Sequence, residues 1–420
     1  MASDSAPAYN TDHAPNLFSP GRLRGQAVQV DPSSVTPCAG GRIYRATLKG
    51  PNAFPHLRGG QFGVVAVKVT EVDRTRQPRD PKKEARILAG LDHPNILSVL
   101  NAYLVEGTPT SPTSRLSLFT PYYPFTLRDL LDSPAFTPEE SVPDFTLLTK
   151  SIAYQLSSAV AYLHAEQEIA HRDINPNNVV LSQAGRVVLI DFGISVRSGD
   201  EQAGEMHFEV GTGAYRAPEL IFGSRTYDPF ALDLWALGCT LSDLFRPLSL
   251  PSPPSPPSSE DSFERAYRQH ATPEPEPKLR RETLFDASLS DFVLAASIFR
   301  VLGTPTVEAW PEAAHLPNFS RFTFAPFPPT QLASHLPYLA PTSSLAPILP
   351  RLLKISASER VPATEVVQEL VGNLKEGVLL PDDIDEEERK RLAPSAASDV
   401  DDTGPSTGRL RRALETMLLP

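Results

Sequence analysis

The chain has 420 residues, 40% of them hydrophobic and 21% charged, which allows either one large two-lobed unit or two ordinary domains. Its formal charge of -11 argues against a nucleic-acid surface, which needs clustered excess Lys and Arg. No apolar run approaches the ~18 residues that span a bilayer, so neither nucleic acid nor a membrane is an expected partner.

The first twenty residues are polar and carry no apolar period, so 1–20 is expected to be a flexible arm. Short β-rich runs follow at Gln26–Val30, Arg42–Leu48, Phe62–Thr70, Ile96–Leu104 and Arg115–Pro121, separated by turn residues. They predict a small antiparallel sheet. One helix interrupts it: Asp80 can cap, Pro81 suits the first turn, and Ala85, Leu88 and Leu91 recur at helical spacing. After Thr126 the pattern turns helical, with Ile152, Leu156, Val160 and Leu163 on one stripe. The fold class is therefore α+β, with a sheet-based lobe at 21–124 and a larger, mainly α-helical lobe at 125–375.

Proline is the compositional exception, with 44 residues, and Pro247–Pro277 is too rich in Pro, Ser and Glu to pack. It reads as a surface insertion at about 247–278. Residues 376–420 form an acidic tail expected to be largely disordered, through Asp382–Glu388, ending in an amphipathic piece with Leu410, Leu414, Met417 and Leu418. Cys38 and Cys239 lie far apart without a disulfide pattern, and the start lacks a basic region followed by an apolar one. Both features predict an intracellular protein of the nucleus and/or cytoplasm.

Three motifs carry chemistry. His171-Arg172-Asp173-Ile174-Asn175-Pro176-Asn177-Asn178 is followed by Asp191-Phe192-Gly193 and then by Ala217-Pro218-Glu219. In order and spacing they resemble the catalytic-loop, metal-binding and activation-segment-end motifs of the protein kinase family. The resemblance covers about residues 26–370 and implies a two-lobed enzyme using ATP and Mg2+ on protein substrates. It implies that Asp173 aligns the substrate hydroxyl with the γ-phosphate, and that Asn178 and Asp191 offer the oxygen ligands that Mg2+ prefers.

Upstream, Val65-Ala66-Val67-Lys68 resembles the kinase strand whose lysine reaches the α- and β-phosphates, with Glu84 as its ion-pair partner and Ala66 beside the nucleotide. Leu118-Phe119-Thr120-Pro121-Tyr122-Tyr123 resembles the hinge. There Thr120 is the gatekeeper, and Pro121 and Tyr123 offer backbone groups to adenine. Of the glycine-rich loop only Gly41 keeps its register, because the two earlier positions fall on Thr36 and Cys38. In the catalytic loop Asn175 stands where serine/threonine kinases carry lysine, so it hydrogen-bonds without adding positive charge.

Two further stretches, Gly211 to Gly223 and Ile298 to Pro305, resemble the cyclin-dependent kinase branch. The resemblance implies that Asp233 anchors the catalytic-loop backbone and that Glu219 pairs with Arg360. The helix that a cyclin grips is shortened by Pro78 and Pro81, and the activating threonine aligns with His207, one of its arginines with Val196. In these features the chain resembles the single-subunit fungal kinases that activate cyclin-dependent kinases. That resemblance implies cyclin-dependent kinases as substrates and no cyclin requirement. The alternatives are a proline-directed kinase of the same branch, or a pseudokinase that binds partners without catalysis.

Overall fold

The computed structural model describes residues 9–10, 27–38, 40–49, 63–73, 77–107, 113–139, 142–201, 205–250, 278–372, 381, 383 and 408–418. Among them, the strands β1 (Tyr9–Asn10), β2 (Ala27–Val30), β3 (Thr36–Cys38), β4 (Gly41–Lys49), β5 (Val64–Glu71), β6 (Asn101–Val105) and β7 (Arg115–Pro121) form one sheet. Its order is β1-β2-β4-β5-β7-β6, with β3 also pairing β4, and every pair is antiparallel.

The two faces of this sheet do different work because strand side chains alternate. Val65 and Val67 join Ala46, Tyr103 and Phe119 in a small core on one face. The residues between them face the other way: Ala66 stands opposite Thr120 and Lys68 opposite Leu118. Leu116 and Leu118 belong to the large core shared with helix α1 (Pro81–Ala89). Lys68 is thereby aimed at α1 and at the second lobe.

The expected strand Gln26–Val30 is observed as Ala27–Val30, while β3 is an additional strand that was not expected. Val30 faces Ala46 and Thr36 faces Ile43, so residues 31–35 between the two strands stand opposite only Tyr44 and Arg45. Asp31 explains the interruption, since its side chain accepts the Ser33 N–H at 3.0 Å and caps a short 3-10 turn. One expected strand differs from that observed. The expected strand at Ile96–Leu104 begins only at Asn101, because Leu97 donates its N–H to Leu189 O in the second lobe and Asn95 Nδ2 is bonded to Gln155 and Val187.

Helix α1 spans nine residues. Asp80 accepts the N–H groups of Lys82 and Lys83, Pro81 occupies the first turn, and Gly90 closes the end. Its apolar stripe buries Ala85, Ile87 and Leu88 and carries Glu84 inward with them.

The second lobe is built around α3 (Val142–Ala165) and α5 (Pro229–Asp243), with α2 (Leu127–Leu131), α4 (Pro218–Ile221), α6 (Asp291–Leu302), α7 (Leu349–Leu352) and α8 (Ala363–Gly372) around them. Every α5 residue from Ala231 to Asp243 is buried, as expected of a helix covered on all sides. On top lie β8 (Phe125–Thr126), β10 (Val179–Leu181) and β11 (Val187–Leu189), with the 171–178 loop leading into β10 and Asp191 following β11. The short strands β9 (Ile169–Ala170) and β12 (Val196–Arg197) pair beside them.

The Pro/Ser-rich insertion lies outside the described residues from 251 to 277, but its two ends pair with each other as β13 (Leu248–Ser249) and β14 (Arg280–Arg281). In the acidic tail, Arg409–Leu418 is a helix, α9, which packs on α2 and α3 through Leu410, Ala413, Leu414 and Met417. Among the described residues no helix is long and apolar enough to cross a membrane.

Candidate active site

The catalytic loop is held from below by α5. Asp233, fully buried, accepts the backbone N–H groups of His171 and Arg172 at 2.7 Å each and the His164 Nε2–H at 2.9 Å. Arg172 has φ 66°, a left-handed conformation that costs a non-glycine residue roughly 1–2 kcal/mol. Those two carboxylate bonds, with Arg172 Nε donating to Ile194 O at 2.8 Å, hold it there. His171 donates from Nε2 to Ile190 O and accepts the Asp173 N–H at Nδ1, fixing the turn that carries Asp173.

Asp173 is surrounded by donors. Asn175 Nδ2 reaches its Oδ1 at 3.1 Å, Asn178 Nδ2 its Oδ2 at 3.0 Å, and Thr212 Oγ1 donates to Oδ1 at 2.5 Å. Burial pushes its carboxyl above the usual range, and the Thr212 hydroxyl works in the opposite direction. Asn175 is spoken for locally, since its amide also bonds Asp173 O and its oxygen accepts the Asn177 N–H. It brings no positive charge.

Across the cleft, Lys68 Nζ bonds Glu84 Oε1 at 2.7 Å and Asp191 Oδ1 at 2.8 Å. Burial disfavours the ammonium, but the two carboxylates outweigh it and hold the lysine protonated well above its ordinary range. Burial likewise opposes the charge on Asp191, and Lys68 and Arg79 overcome it, keeping that carboxyl well below the usual range. Asp191 also sits at φ 61°, so the backbone turns to present the side chain into the cleft.

The donor set fits Mg2+. Asp191 is ionised, and Asn178 spends its amide N–H groups on Asp173 and leaves its oxygen as acceptor. Among the described residues no three His, Cys, Asp or Glu side chains gather into a protein cage. Mg2+ takes one or two protein oxygens and fills its other positions with phosphate and water.

On the side expected to receive the nucleotide, Ala66 and Thr120 face each other across β5 and β7, and Thr120 is buried. Pro121 ends β7 opposite Val65, and Tyr123 follows, half-buried against the large core. Gly41 opens β4 opposite Thr70, and a Cβ there would lie 2.1 Å from Val69 O. Close strand approach therefore demands glycine at 41. Gly40, at φ 82°, makes the turn between β3 and β4.

The segment from Asp191 to Glu219 carries charges that sequence reasoning passed over. Arg172 makes a two-pronged bond to Glu201, 2.7 and 2.9 Å, and Lys83 of α1 meets Asp200 at 3.1 Å. Glu219 holds Arg360 at 2.7 and 2.8 Å, an expected pair, and Arg360 also lies over the Trp235 ring. His207 offers its carbonyl to the Tyr227 hydroxyl. Arg79 was also missed: its guanidinium lies 3.3 Å from Asp191 Oδ2 and 3.8 Å from Asp173 Oδ2. The adjacent acids Asp200-Glu201, close after Val196, were the available signal for the segment. Nothing local in the sequence points to Arg79.

The family described as protein kinase domain matches residues 58–370. A serine/threonine-protein kinase, csk1, of Schizosaccharomyces pombe is 29% identical over 275 residues, 64% of this chain and 74% of its own. Cyclin-dependent kinase 7 of Xenopus laevis is 28% identical over 327 residues, 78% of this chain and 76% of its own. Among solved structures, that of the yeast RNA Pol II CTD kinase CTDK-1 complex shares the fold, with TM-score 0.55 and 21% identity over 78% of this chain and 88% of that one.

Proposed function

The chain belongs to the protein kinase family, and from that membership we propose that it phosphorylates the activation-segment threonine of a cyclin-dependent kinase without a cyclin of its own. The observation that carries the catalytic part is the convergence of Lys68, Glu84, Asp173, Asn178 and Asp191 on one cleft through contacts of 2.7 to 3.0 Å. Phosphoryl transfer asks for positioning and charge neutralisation, and these residues divide that work. Lys68, oriented by Glu84, receives the α- and β-phosphates of the substrate ATP. Asp173 accepts the hydrogen bond of the attacking hydroxyl and aligns it, with Thr212 and Asn178 fixing the carboxylate. Asn178 and Asp191 would hold Mg2+, which neutralises charge on the phosphate oxygens. Thr120, Pro121, Tyr123, Ala66 and Gly41 line the nucleotide side.

The proposal of independence from a cyclin and from a phosphorylated threonine rests on two ion pairs within one chain. Phosphorylation activates related enzymes by giving an arginine cluster an anion. Here Glu201 supplies the anion to Arg172, and Asp200 supplies one to Lys83 on α1. Similarity to csk1 and to cyclin-dependent kinase 7 supports the choice of branch.

The test is purified protein, made in bacteria and phosphatase-treated, with Mg2+, γ-labelled ATP and a catalytically inactive cyclin-dependent kinase. Label should enter the activation-segment threonine, and Asp173→Asn should abolish it. Label entering equally with Asp173→Asn, or only after a cyclin is added, would sink the reading.

A further inference from the structure

The cleft holds a cation that the catalytic loop does not provide. Asn175 leaves the loop without its usual positive charge, while Arg79, from the segment just before α1, reaches between Asp173 and Asp191. Those carboxylates mark the two ends of the transfer: one aligns the hydroxyl, the other the metal and phosphates. The group that moves must pass between them, and a guanidinium within 3.3 and 3.8 Å of both is within reach of it.

The placement is supported on three sides. Asp80, next in sequence, donates its N–H to Gly193 O at 3.3 Å, fastening the segment to the metal-binding motif. Gly193 provides the room, since a Cβ there would lie 2.8 Å from Arg79 Nη1. Arg79 bonds both Asp191 oxygens, at 3.4 and 3.3 Å, and still keeps 31% of its side chain exposed. Donors therefore remain for a phosphate. Guanidinium suits that task because it is always charged and presents paired N–H groups to phosphate oxygens.

We propose that Arg79 is a catalytic residue that contacts the γ-phosphoryl group and supplies the positive charge missing at Asn175. The proposal rests on the kinase reading above and adds the residue that stabilises the charge shared by entering and leaving oxygens. No bond is made to Arg79; its hydrogen bonds to the equatorial oxygens strengthen as the phosphoryl moves.

Two measurements test it. In calorimetric binding with Mg2+, Arg79→Gln should weaken ATP about tenfold and leave ADP unchanged, because only ATP carries the contacted group. In turnover, Arg79→Gln should lower kcat about 100-fold, the loss typical of one removed transition-state donor. Arg79→Lys should retain an intermediate rate, and adding Asn175→Lys to Arg79→Gln should recover at least tenfold by restoring a cation from the opposite side. Equal weakening of ATP and ADP, no fall in kcat, or a rise in kcat would overturn the proposal, the last by making Arg79 an obstruction. Binding is read without turnover, so a chain that labels no cyclin-dependent kinase refutes the substrate reading and still tests Arg79.

Discussion

Glu201→Gln puts a magnitude on the internal anion. The Arg172 side chain is fully buried and Glu201 is 18% exposed, so the pair lies at the edge of the interior. Removing one partner of a fully buried pair costs about 3–5 kcal/mol, mostly from stranding the other charge. Water reaches Glu201, the glutamine keeps one acceptor oxygen, and Arg172 keeps Ile194 O and the Tyr227 hydroxyl, so about 2 kcal/mol is the better figure. That energy loosens the segment leading from Asp191 rather than the whole fold, because Asp233 still holds the loop backbone. At tenfold per 1.4 kcal/mol, the rate toward an inactive cyclin-dependent kinase should fall roughly thirtyfold. Amide exchange across residues 194–201 should quicken while the melting temperature changes little. Asp200→Asn should do far less, since Asp200 is 42% exposed and Lys83 29%, and such pairs contribute about 0–1 kcal/mol. A full rate in Glu201→Gln with unchanged exchange would refute the role given to this anion.

Thr212→Val removes a hydroxyl that stabilises the ionised Asp173, so the already raised carboxyl should rise further and the acid limb of kcat/KM should move to higher pH; an unmoved limb would separate Asp173 from that profile. Replacing 251–277 by a tight turn should leave peptide phosphorylation nearly unchanged, because Leu248–Ser249 and Arg280–Arg281 already close the stem; lost solubility would show that the insertion packs on the core. Leu414→Ala should lower the melting temperature, with a cost of about 2–5 kcal/mol capped by the free energy of docking α9. An unchanged melting curve would mean that α9 adds nothing to the stability of the second lobe.

The catalytic loop, Asp233 and the Glu219–Arg360 pair were legible through the family resemblance carried by motifs that occur in order. The additional strand β3 was hidden because its separation from β2 depends on the Asp31 side chain taking the Ser33 N–H and the Ser34 hydroxyl taking the Arg45 N–H. The late start of β6 was hidden for a tertiary reason: Ile96 and Leu97 are drawn to Leu189 in the other lobe. The amphipathic spacing of Leu410, Leu414 and Met417 announced a helix face, but no local signal named α2 and α3 as its cover.

Nothing local in the sequence pointed to Arg79, and only the adjacent acids Asp200-Glu201 pointed to Glu201. In the roles proposed above each supplies a charge from a loop, Arg79 where Asn175 adds none and Glu201 beside Arg172. Arg79 is tied to α1 through Asp80, which caps the helix and bonds Gly193. Lys83 on the same helix meets Asp200 in the segment that also carries Glu201. The helix that orients Lys68 through Glu84 is thus fastened at its first turn to both ends of the site. The Lys68–Glu84 contact, closed at 2.7 Å within a single chain, supports the proposal that no partner need press on α1.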